Sequence, residues 1–408
     1  MIAAKIAWRN IWRNPRRSIL TLCALGLSTA LLLFMFAWQV GSYDSMIHAA
    51  VSSTTGELQV MHTGYDDNPD IRKAIESPDA VARILDDTPG IVNWSPRAEA
   101  FTLADSGKRS YGVMVIGIDI EREPKVSNIR TVIREGEYFS SDTNEIILGR
   151  KLARNLQVAP GDEVVLLGQG YDGSVAANVF NVRGIAETGQ PELDRQLAEI
   201  PLGVFQDTFF MGQRTHRMVI TSQSLKKLDQ LAASLRTRLA DVEPDLVVRT
   251  WDQLLPGLKQ SIELDMISGY ISYFLLLVVV AFSIMNTFIM AVFERSAEFG
   301  ILNAIGTTRY RLVYILVMET TFLALCGIAL GFLAGFGISW YFQEVGFVIP
   351  DTEKLMAQFG VPNRIYPKLS FFISWLAPFL VLCVALVSTL YPAFRLLRLN
   401  PVQAMHDQ

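Results

Sequence analysis

Long apolar runs alternate with polar segments along this chain of 408 residues. A helix needs roughly 20 predominantly apolar residues to cross the hydrocarbon of a bilayer. Four runs are long enough, and they cover residues 18–41, 267–293, 312–342 and 371–394. The first run is too long for the core of a signal peptide and no small-residue cleavage pattern follows Gly41, so we expect it to remain as an anchor. The pattern therefore predicts four transmembrane helices.

The overall composition agrees with a membrane protein. Hydrophobic residues make up 50% of the sequence and charged residues 19%, and the mean hydropathy is +0.29. Ordinary soluble domains are less apolar. The three cysteines, Cys23, Cys326 and Cys383, all fall in predicted spans. The remainder of the chain is therefore expected to fold without disulfides.

A different pattern fills residues 42–266, between the first and second spans. Residues 56–64 and 111–119 are rich in apolar and β-branched side chains, as strands are. Residues 145–167 have the order strand, helix, turn, strand. The segment is long enough for one or two compact domains.

Two helices are also predicted in this segment. Residues 77–90 begin with a Ser cap followed by Pro and end on Pro-Gly. Residues 224–242 carry apolar side chains at helical spacing. They are Leu225, Leu228, Leu231, Ala232, Leu235 and Leu239. The expected fold class is an α-helical membrane protein with four transmembrane helices and a large mixed α/β domain between helices 1 and 2.

Positive charges set the expected orientation, because Lys and Arg collect on the cytoplasmic side of membrane proteins. They occur in residues 1–17, in the segment 294–311 between the second and third spans, and in the tail 395–408. These ten residues are Lys5, Arg9, Arg13, Arg16, Arg17, Arg295, Arg309, Arg311, Arg395 and Arg398. The loop 343–370 holds three. Both termini are therefore expected in the cytoplasm, and residues 42–266 outside it.

The charge of the outer domain limits its partners. Its residues up to Asp265 include 33 Asp and Glu against 23 Lys and Arg, a net charge of −10, whereas the rest of the chain carries +6. A nucleic-acid partner is not favoured by this distribution. An acidic excess of this kind is typical of a solvated exterior.

The amino-terminal segment 1–17 is predicted to be an amphipathic helix on the membrane surface. Lys5, Arg9 and Arg13 repeat every four residues, and Pro15 interrupts the helix. The apolar residues on the other face are Ala4, Trp8, Ile11 and Trp12. Such a helix binds anionic lipid headgroups. The alternative is a charge cluster that only orients the first span.

The charged segment 294–311 joins two spans and has helical spacing of its apolar residues, which are Phe299, Ile301, Leu302 and Ile305.

The sequence shows no catalytic pattern. The phosphate-binding motif G-x-x-x-x-G-K-[ST] is absent from the sequence, the four histidines show no paired ligand spacing, and no nucleophile motif is present. We therefore expect a non-catalytic membrane subunit, with no cofactor or metal bound by this chain.

Three stretches carry a resemblance to a known family. They are "AWRNIWRNPRRSILTL" (7–22), "IMNTFIMAVFERSAEFGILNAIGTTRYRLVYILVMET" (284–320) and "YPAFRLLRLNPVQAMH" (391–406). With the four spans and the large domain after the first, the chain resembles the FtsX-like, MacB-type permeases of type VII ABC transporters. Its layout is similar to that of the lipoprotein-releasing, LolC/LolE-like permeases, and the domain at 42–266 then corresponds to a MacB-like periplasmic domain.

The resemblance implies a role for the segment 294–311 as a cytoplasmic coupling helix that docks on a separate ATPase subunit. The matching positions are Glu294, Arg295, Glu298, Gly300, Leu302, Ala304, Gly306 and Arg309. On this basis the apolar residues fill a groove in the partner, while Glu294, Glu298 and Arg309 make polar contacts at the rim. The sequence departs from the family pattern at Phe299 and Asn303. The alternative is a plain interfacial helix or an ordered loop.

The family also implies the assembly and its location. Two permeases, as a homodimer or a heterodimer, join a dimer of ABC ATPase subunits that bind ATP and Mg in the bacterial inner membrane. A periplasmic carrier or adaptor is a further expected partner. ATP-driven closure of the ATPases is transmitted to the outer domains, which move cargo from the outer leaflet or periplasm.

Three functions fit this mechanism. Lipoprotein release is the first, MacB-like export of a peptide, toxin or amphiphile is the second, and FtsX-like signalling to a cell-wall hydrolase is the third. In the lipoprotein-releasing family one permease carries a long hairpin that hooks the carrier. The corresponding residues here are 168–180, "GQGYDGSVAANVF". They fit a reduced hook, a partner subunit without a hook, or an ordinary hairpin turn.

The outward ends of the first two spans are predicted to form a lateral entrance for lipid-bearing cargo, because both spans lead directly into the outer domain. The apolar residues of this candidate entrance are Phe34, Met35, Trp38, Val40, Ile267, Ile271, Phe274 and Leu275. Each of them also fits an ordinary lipid-facing or packing position.

Two further features lie in the third span. Glu319 is an intramembrane carboxylate, which fits either a proton relay or a hydrogen bond to a neighbouring helix. Gly327, Gly331 and Gly335 repeat every four residues. Such a repeat permits close packing against another helix, within this chain or in a second subunit.

Overall fold

The computed structural model describes residues 2–296, 298, 301–302, 305–348, 350 and 364–397. It divides into two compact units. The first comprises Met1–Asp44, Ser261–Val348 and Arg364–Gln408, and the second comprises Ser45–Gln260 and Ile349–Asn363.

Long helices form the first unit. In chain order they are α1 (Ile2–Ile11), α2 (Pro15–Ala50), α10 (Pro256–Glu294), α11 (Arg309–Val345) and α12 (Phe371–Leu397). Within the described part of the chain, four of them, α2, α10, α11 and α12, are long and apolar enough to cross a membrane. The helices α2 and α10 have 36 and 39 residues. Both are therefore much longer than one crossing requires.

The helices α2 and α11 approach closely through small residues. A Cβ atom added at Gly331 would lie 2.2 Å from the backbone oxygen of Gly26, and one at Gly335 would lie 2.7 Å from the Cα atom of Ala30. At Gly327 an added Cβ would lie 2.7 Å from the Cβ atom of Leu25. The glycine repeat of the third span therefore packs within this chain, against the first span.

The second unit contains the large sheet expected between the first two spans. Its strands are β1 (Leu58–His62), β2 (Ile91–Asp105), β3 (Ser110–Ile118), β4 (Ile133–Gly136), β5 (Glu145–Gly149), β6 (Glu163–Gln169), β7 (Val175–Ala186), β8 (Leu197–Pro201), β9 (Arg217–Ser222) and β10 (Leu246–Thr250). They follow the order β10-β1-β9-β2-β3-β8-β5-β7-β4, and β6 pairs with β2 and β7. The pairs β3–β8 and β5–β7 are parallel. Parallel neighbours require crossover connections, which here contain helices.

Short helices cover this sheet. They are α3 (Pro78–Asp86), α4 (Glu123–Val126), α5 (Arg150–Leu156), α6 (Leu193–Gln196), α7 (Leu202–Thr208), α8 (Leu228–Leu239) and α9 (Trp251–Leu254). In α8 the residues predicted for one face are buried, including Leu228, Leu231 and Leu235. They pack with Val81 and Leu85 of α3 in one apolar cluster. The predicted cap of α3 is wrong in one respect, because Ser77 holds the cap position but makes no side-chain cap bond.

A buried group of charges lies in the second unit. Arg97 donates hydrogen bonds to both carboxylate oxygens of Glu123, and both side chains are almost fully buried. Glu199 is also buried, and burial together with repulsion by Glu123 raises the pKa of its carboxyl group to about 8. A single Arg thus stabilises one ionised carboxylate, while the second is held in its neutral form at neutral pH.

The contact between α2 and α11 leads to a stability prediction. Gly331→Ala places a methyl group against the backbone of Gly26 and should destabilise the folded chain by about 1–3 kcal/mol, the range for overpacked cores. Thermal unfolding of the full chain in detergent, followed by size exclusion, measures the change.

Gly337→Ala is the matched control for this substitution. Gly337 lies in the same helix, and no heavy atom lies within 4 Å of an added Cβ there. Equal unfolding temperatures for the two variants would contradict the packing described for α2 and α11.

Candidate functional site

The segment between α10 and α11 ends in a tight glycine turn. The backbone N–H groups of Ile305 and Thr307 donate to the carbonyl oxygens of Ile301 and Leu302, at 3.0 and 2.9 Å. Gly306 has a φ of 103°. This is the pattern of a helix that ends with a glycine in the left-handed region. Backbone conformation and not packing therefore favours Gly306, since no described atom beyond its chain neighbours would lie within 4 Å of an added Cβ. Gly300 and Ala304, two further predicted coupling positions, lie outside the described residues.

Two acidic residues of the segment are paired with the amino-terminal basic cluster. Arg17, in the first turn of α2, donates to the carboxylate of Glu294 at 2.7 Å. Arg13, in the turn between α1 and α2, donates to the carboxylate of Glu298. Within this chain, Glu294 therefore contacts the start of the first spanning helix, and Glu298 contacts the turn that precedes it.

Arg295 lies between two carboxylates. Its Nε is 3.4 Å from Glu298 Oε2, and its Nη1 donates to Glu319 Oε2 at 3.0 Å. The side chains of Arg295 and Glu319 are 11% and 4% exposed. Removing one partner of such a buried pair typically costs about 3–5 kcal/mol, because the other charge is left unpaired. Glu319 thus makes a hydrogen bond of the kind expected for it from the sequence. The donor, Arg295, is one of the residues predicted to lie in the coupling helix.

Electrostatics favour the ionised forms of Arg13 and Glu298. The hydrogen bond from Arg13 lowers the pKa of the Glu298 carboxyl group below its ordinary value, and the same contact raises the pKa of Arg13. Glu298 is 42% exposed and Arg13 54%. Solvent therefore screens the pair, and such pairs contribute little to stability by themselves.

Apolar residues of the same segment are exposed. Ile301, Leu302 and Ile305 are 52%, 41% and 77% exposed, and Tyr310 in the first turn of α11 is 78% exposed. We call these four residues the apolar coupling face. Gly306 is also exposed, and Arg309 is partly exposed. Tyr310 was not singled out by the sequence, although its position next to Arg309 and Arg311 placed it in the same segment.

The sequence pattern assigned Arg13 to the basic face of an amphipathic helix, and both Arg13 and Arg17 to the charges that orient the first span. It did not reveal their partners. A signal was present, because Arg13 and Arg17 are four residues apart and so are Glu294 and Glu298. Equal spacing lets two segments lie side by side with matched charges. Local patterns alone do not state which distant segments meet.

The predicted cargo entrance is divided between different faces. On α2, the ring of Phe34 lies 6.1 Å from that of Phe342, and the ring of Trp38 lies 4.9 Å from that of Phe347. Both residues therefore pack toward the end of α11. Met35 is partly buried against the helical core.

The contacts between α2 and α10 use other residues. The ring of Phe36 lies 4.6 Å from that of Tyr273, whose hydroxyl donates to Gln39 at 2.6 Å. Tyr43 donates to Asp265 at 2.6 Å.

The remaining entrance residues are 40–65% exposed. They are Val40, Ile267, Ile271, Phe274 and Leu275. The eight predicted residues thus do not form one lining between α2 and α10 within this chain, because Phe34 and Trp38 of α2 pack toward the end of α11 while those of α10 share an exposed face.

The hairpin at 168–180 has a short turn. The strands β6 and β7 pair as far as Gln169 and Val175. In the turn, the N–H of Tyr171 donates to Phe209 at 2.8 Å and its hydroxyl donates to Glu76 at 2.9 Å. The tip is therefore an ordinary hairpin turn that is bound to its own domain.

Two family models match the sequence. The model of the FtsX-like permease C-terminal matches residues 270–401. The model of the MacB-like periplasmic core domain matches residues 18–238, more than half of the chain.

Three named relatives are similar over most of this chain. The lipoprotein-releasing system transmembrane protein LolC of Xylella fastidiosa (strain Temecula1) is 26% identical over 344 residues, which cover 80% of each protein. LolE of Haemophilus influenzae is 27% identical over 336 residues and 79% of each protein. The pyoverdine export ATP-binding/permease protein PvdT of Pseudomonas aeruginosa is 25% identical over 357 residues, 82% of this chain and 51% of PvdT.

The matched regions follow the architecture. The periplasmic core model begins in α2 and covers most of the large sheet. The permease model begins within α10 and covers the rest of that helix, the segment after it, α11 and α12. The chain belongs to the FtsX-like permeases that carry a MacB-like periplasmic core domain between their first and second membrane-spanning helices.

Proposed function

We propose that this chain is the permease subunit of an ATP-driven ABC transporter that releases lipoproteins from the outer leaflet of the bacterial inner membrane. The observation that carries the proposal is the similarity to LolC and LolE over about four fifths of each protein. Similarity at 26–27% identity supports the permease class directly. The lipoprotein cargo is the specific part of the proposal.

The apolar coupling face is the proposed contact with the ATPase. It extends from the segment between α10 and α11 into the first turn of α11, a region expected on the cytoplasmic side from its flanking charges. Exposed apolar side chains surrounded by charged ones are typical of a protein interface. The chain lacks a phosphate-binding motif of its own, so a separate ATPase dimer would bind ATP and Mg.

A second permease and a soluble partner complete the proposed assembly. The exposed face of α10 with Ile267, Ile271, Phe274 and Leu275 would meet lipid, cargo or the second permease across the dimer. In this arrangement the entrance forms between subunits. A periplasmic carrier or adaptor would bind elsewhere than the turn at 170–174, whose Tyr171 is already bound to its own domain.

MacB-like export is the second candidate function. The match to PvdT, a pyoverdine export protein, covers 82% of this chain and favours it over signalling to a hydrolase. Cargo would then be a peptide or small amphiphile that leaves through an outer channel. Release of a triacylated lipoprotein distinguishes lipoprotein release from MacB-like export, since only lipoprotein release requires it.

The orientation makes a labelling prediction. In a background without Cys23, Cys326 and Cys383, Lys108→Cys should react with a membrane-impermeant maleimide added outside spheroplasts, and Thr308→Cys should not. Both positions are exposed. A cysteine in the hairpin turn at Gly170 would be unsuitable for labelling, because that position is buried against Phe210. Reaction at position 308 with protection at 108 would reverse the proposed topology.

The apolar coupling face makes a docking prediction. Ile305→Asp should weaken the affinity of the permease for its ATPase at least tenfold, about 1.4 kcal/mol, because a charge replaces a buried contact at the interface. Pull-down of the ATPase from solubilised membranes measures it. Val175→Asp is the control, since Val175 is similarly exposed, at 74%, in the outer domain. Equal recovery of ATPase with both variants would remove this face as the docking site.

The entrance makes a crosslinking prediction. A photoreactive amino acid at Ile271 should form adducts with lipoprotein at least fivefold more often than one at Leu333, an exposed apolar residue of α11. Ile271→Asp should lower release and leave basal ATP hydrolysis unchanged, because hydrolysis takes place on the other side of the membrane. Equal adducts at both positions, or normal release by Ile271→Asp, would contradict an entrance at this face.

A further inference from the structure

The segment between α10 and α11 has two parts with different chemistry. Residues 294–298 contain the charges that pair with other helices of the same chain, at Glu294, Arg295 and Glu298. The apolar coupling face begins three residues later, at Ile301. A residue that is bound within its own chain has less capacity for polar contacts with a partner.

The covalent connections of the segment do not include α2. The chain leaves α10 at Glu294 and enters α11 at Arg309, so movement of the segment reaches those two helices directly. Contact with the start of α2 is made through side chains. Arg17 binds Glu294, and Arg13 binds Glu298.

The ion pair of the segment with α11 and its ion pairs with Arg13 and Arg17 differ in burial. They therefore differ in how readily they break. Arg295 and Glu319 are both largely buried, so separating them leaves a charge without water. The exposed pair of Arg13 and Glu298 is accessible to water and salt, and Arg17 and Glu294 are 21% and 42% exposed. The contact with α11 therefore costs more to break than the contacts with Arg17 and Arg13.

We propose that Glu294 and Glu298 are positioning residues that tether the segment between α10 and α11 to Arg17 of α2 and to Arg13 of the preceding turn, while Arg295 fixes the segment to α11 through Glu319. The inference rests on the proposed function and assigns the transmission of movement to α2. The tether carries displacement of the segment into the first spanning helix, and the ATPase contacts the apolar coupling face. Glu294 and Glu298 therefore do not contribute to ATPase affinity.

The Arg17–Glu294 pair provides the functional test. Arg17→Glu and Glu294→Arg should each lower the amount of lipoprotein released per ATP hydrolysed at least fivefold, and the double exchange Arg17→Glu/Glu294→Arg should restore it to within twofold. ATPase recovery in a pull-down should stay within twofold of the unmodified chain in all three. Arg16→Glu makes the same charge change one residue earlier, at an exposed side chain, and should leave coupling unchanged.

Two results would overturn the tether. Loss of ATPase binding in Glu294→Arg would make this residue a docking contact, and failure of the double exchange to restore coupling would show that the pair itself is not required. Failure of the proposed function has a different signature, because the unmodified chain would then show no ATP-dependent release at all.

A measurement without ATPase tests the contact itself. With Cys23, Cys326 and Cys383 replaced, cysteines at positions 17 and 294 should crosslink through a short bifunctional maleimide in native membranes at least fivefold more than cysteines at 19 and 294. Ile19 is exposed and lies two residues further along α2, on another face. Equal crosslinking of the two pairs would overturn the proposed tether whether or not the chain transports lipoproteins.

Discussion

The ion pair between Arg295 and Glu319 fixes the position of the segment between α10 and α11. Glu319 lies in an apolar helix and is almost fully buried, where an unpaired carboxylate is unfavourable. Arg295 supplies the opposite charge at 3.0 Å. Because Arg295 follows directly after α10, this contact holds the end of α10 against α11. The segment between them cannot move away without exposing two buried charges to an apolar environment.

The first spanning helix joins this arrangement by two kinds of contact. Toward the middle of the helix, Gly26 of α2 lies against Gly331 of α11 with no space for a side chain. At its start, Arg17 reaches Glu294. Helices α2, α10 and α11 are thereby connected near the segment between α10 and α11. The helices α2 and α10 also lead directly into the start and out of the end of the large α/β domain.

Much of the architecture follows from local patterns. Four apolar runs indicated four long helices, and the periodicity of residues 224–242 indicated the buried face of α8, because both depend on side chains that are close in sequence. The helices α2 and α10 continue past the apolar runs through polar residues such as Tyr43 and Asp265, which bind each other. Hydropathy alone does not reveal such an extension, since the polar partner comes from another helix.

The candidate site was predicted in part. Spacing identified Ile301, Leu302 and Ile305 but not Tyr310, and the expected role of the segment came from the family resemblance. The pairing of Glu294 and Glu298 with Arg17 and Arg13 joins positions nearly 300 residues apart and has no local signal beyond equal spacing. The entrance residues were chosen by hydrophobicity and depth. Their division among faces depends on helix rotation, which is set by contacts such as Phe36 with Tyr273.

The most direct test of the account is reconstitution of transport. The full chain, its ATPase and any second permease that copurifies with it would be placed in proteoliposomes loaded with a fluorescent triacylated lipoprotein, and its transfer to a soluble acceptor would be followed with and without ATP. The account predicts transfer that requires ATP and stops when vanadate traps the ATPase. ATP-dependent efflux of peptides or siderophores without any transfer of lipoprotein would contradict it.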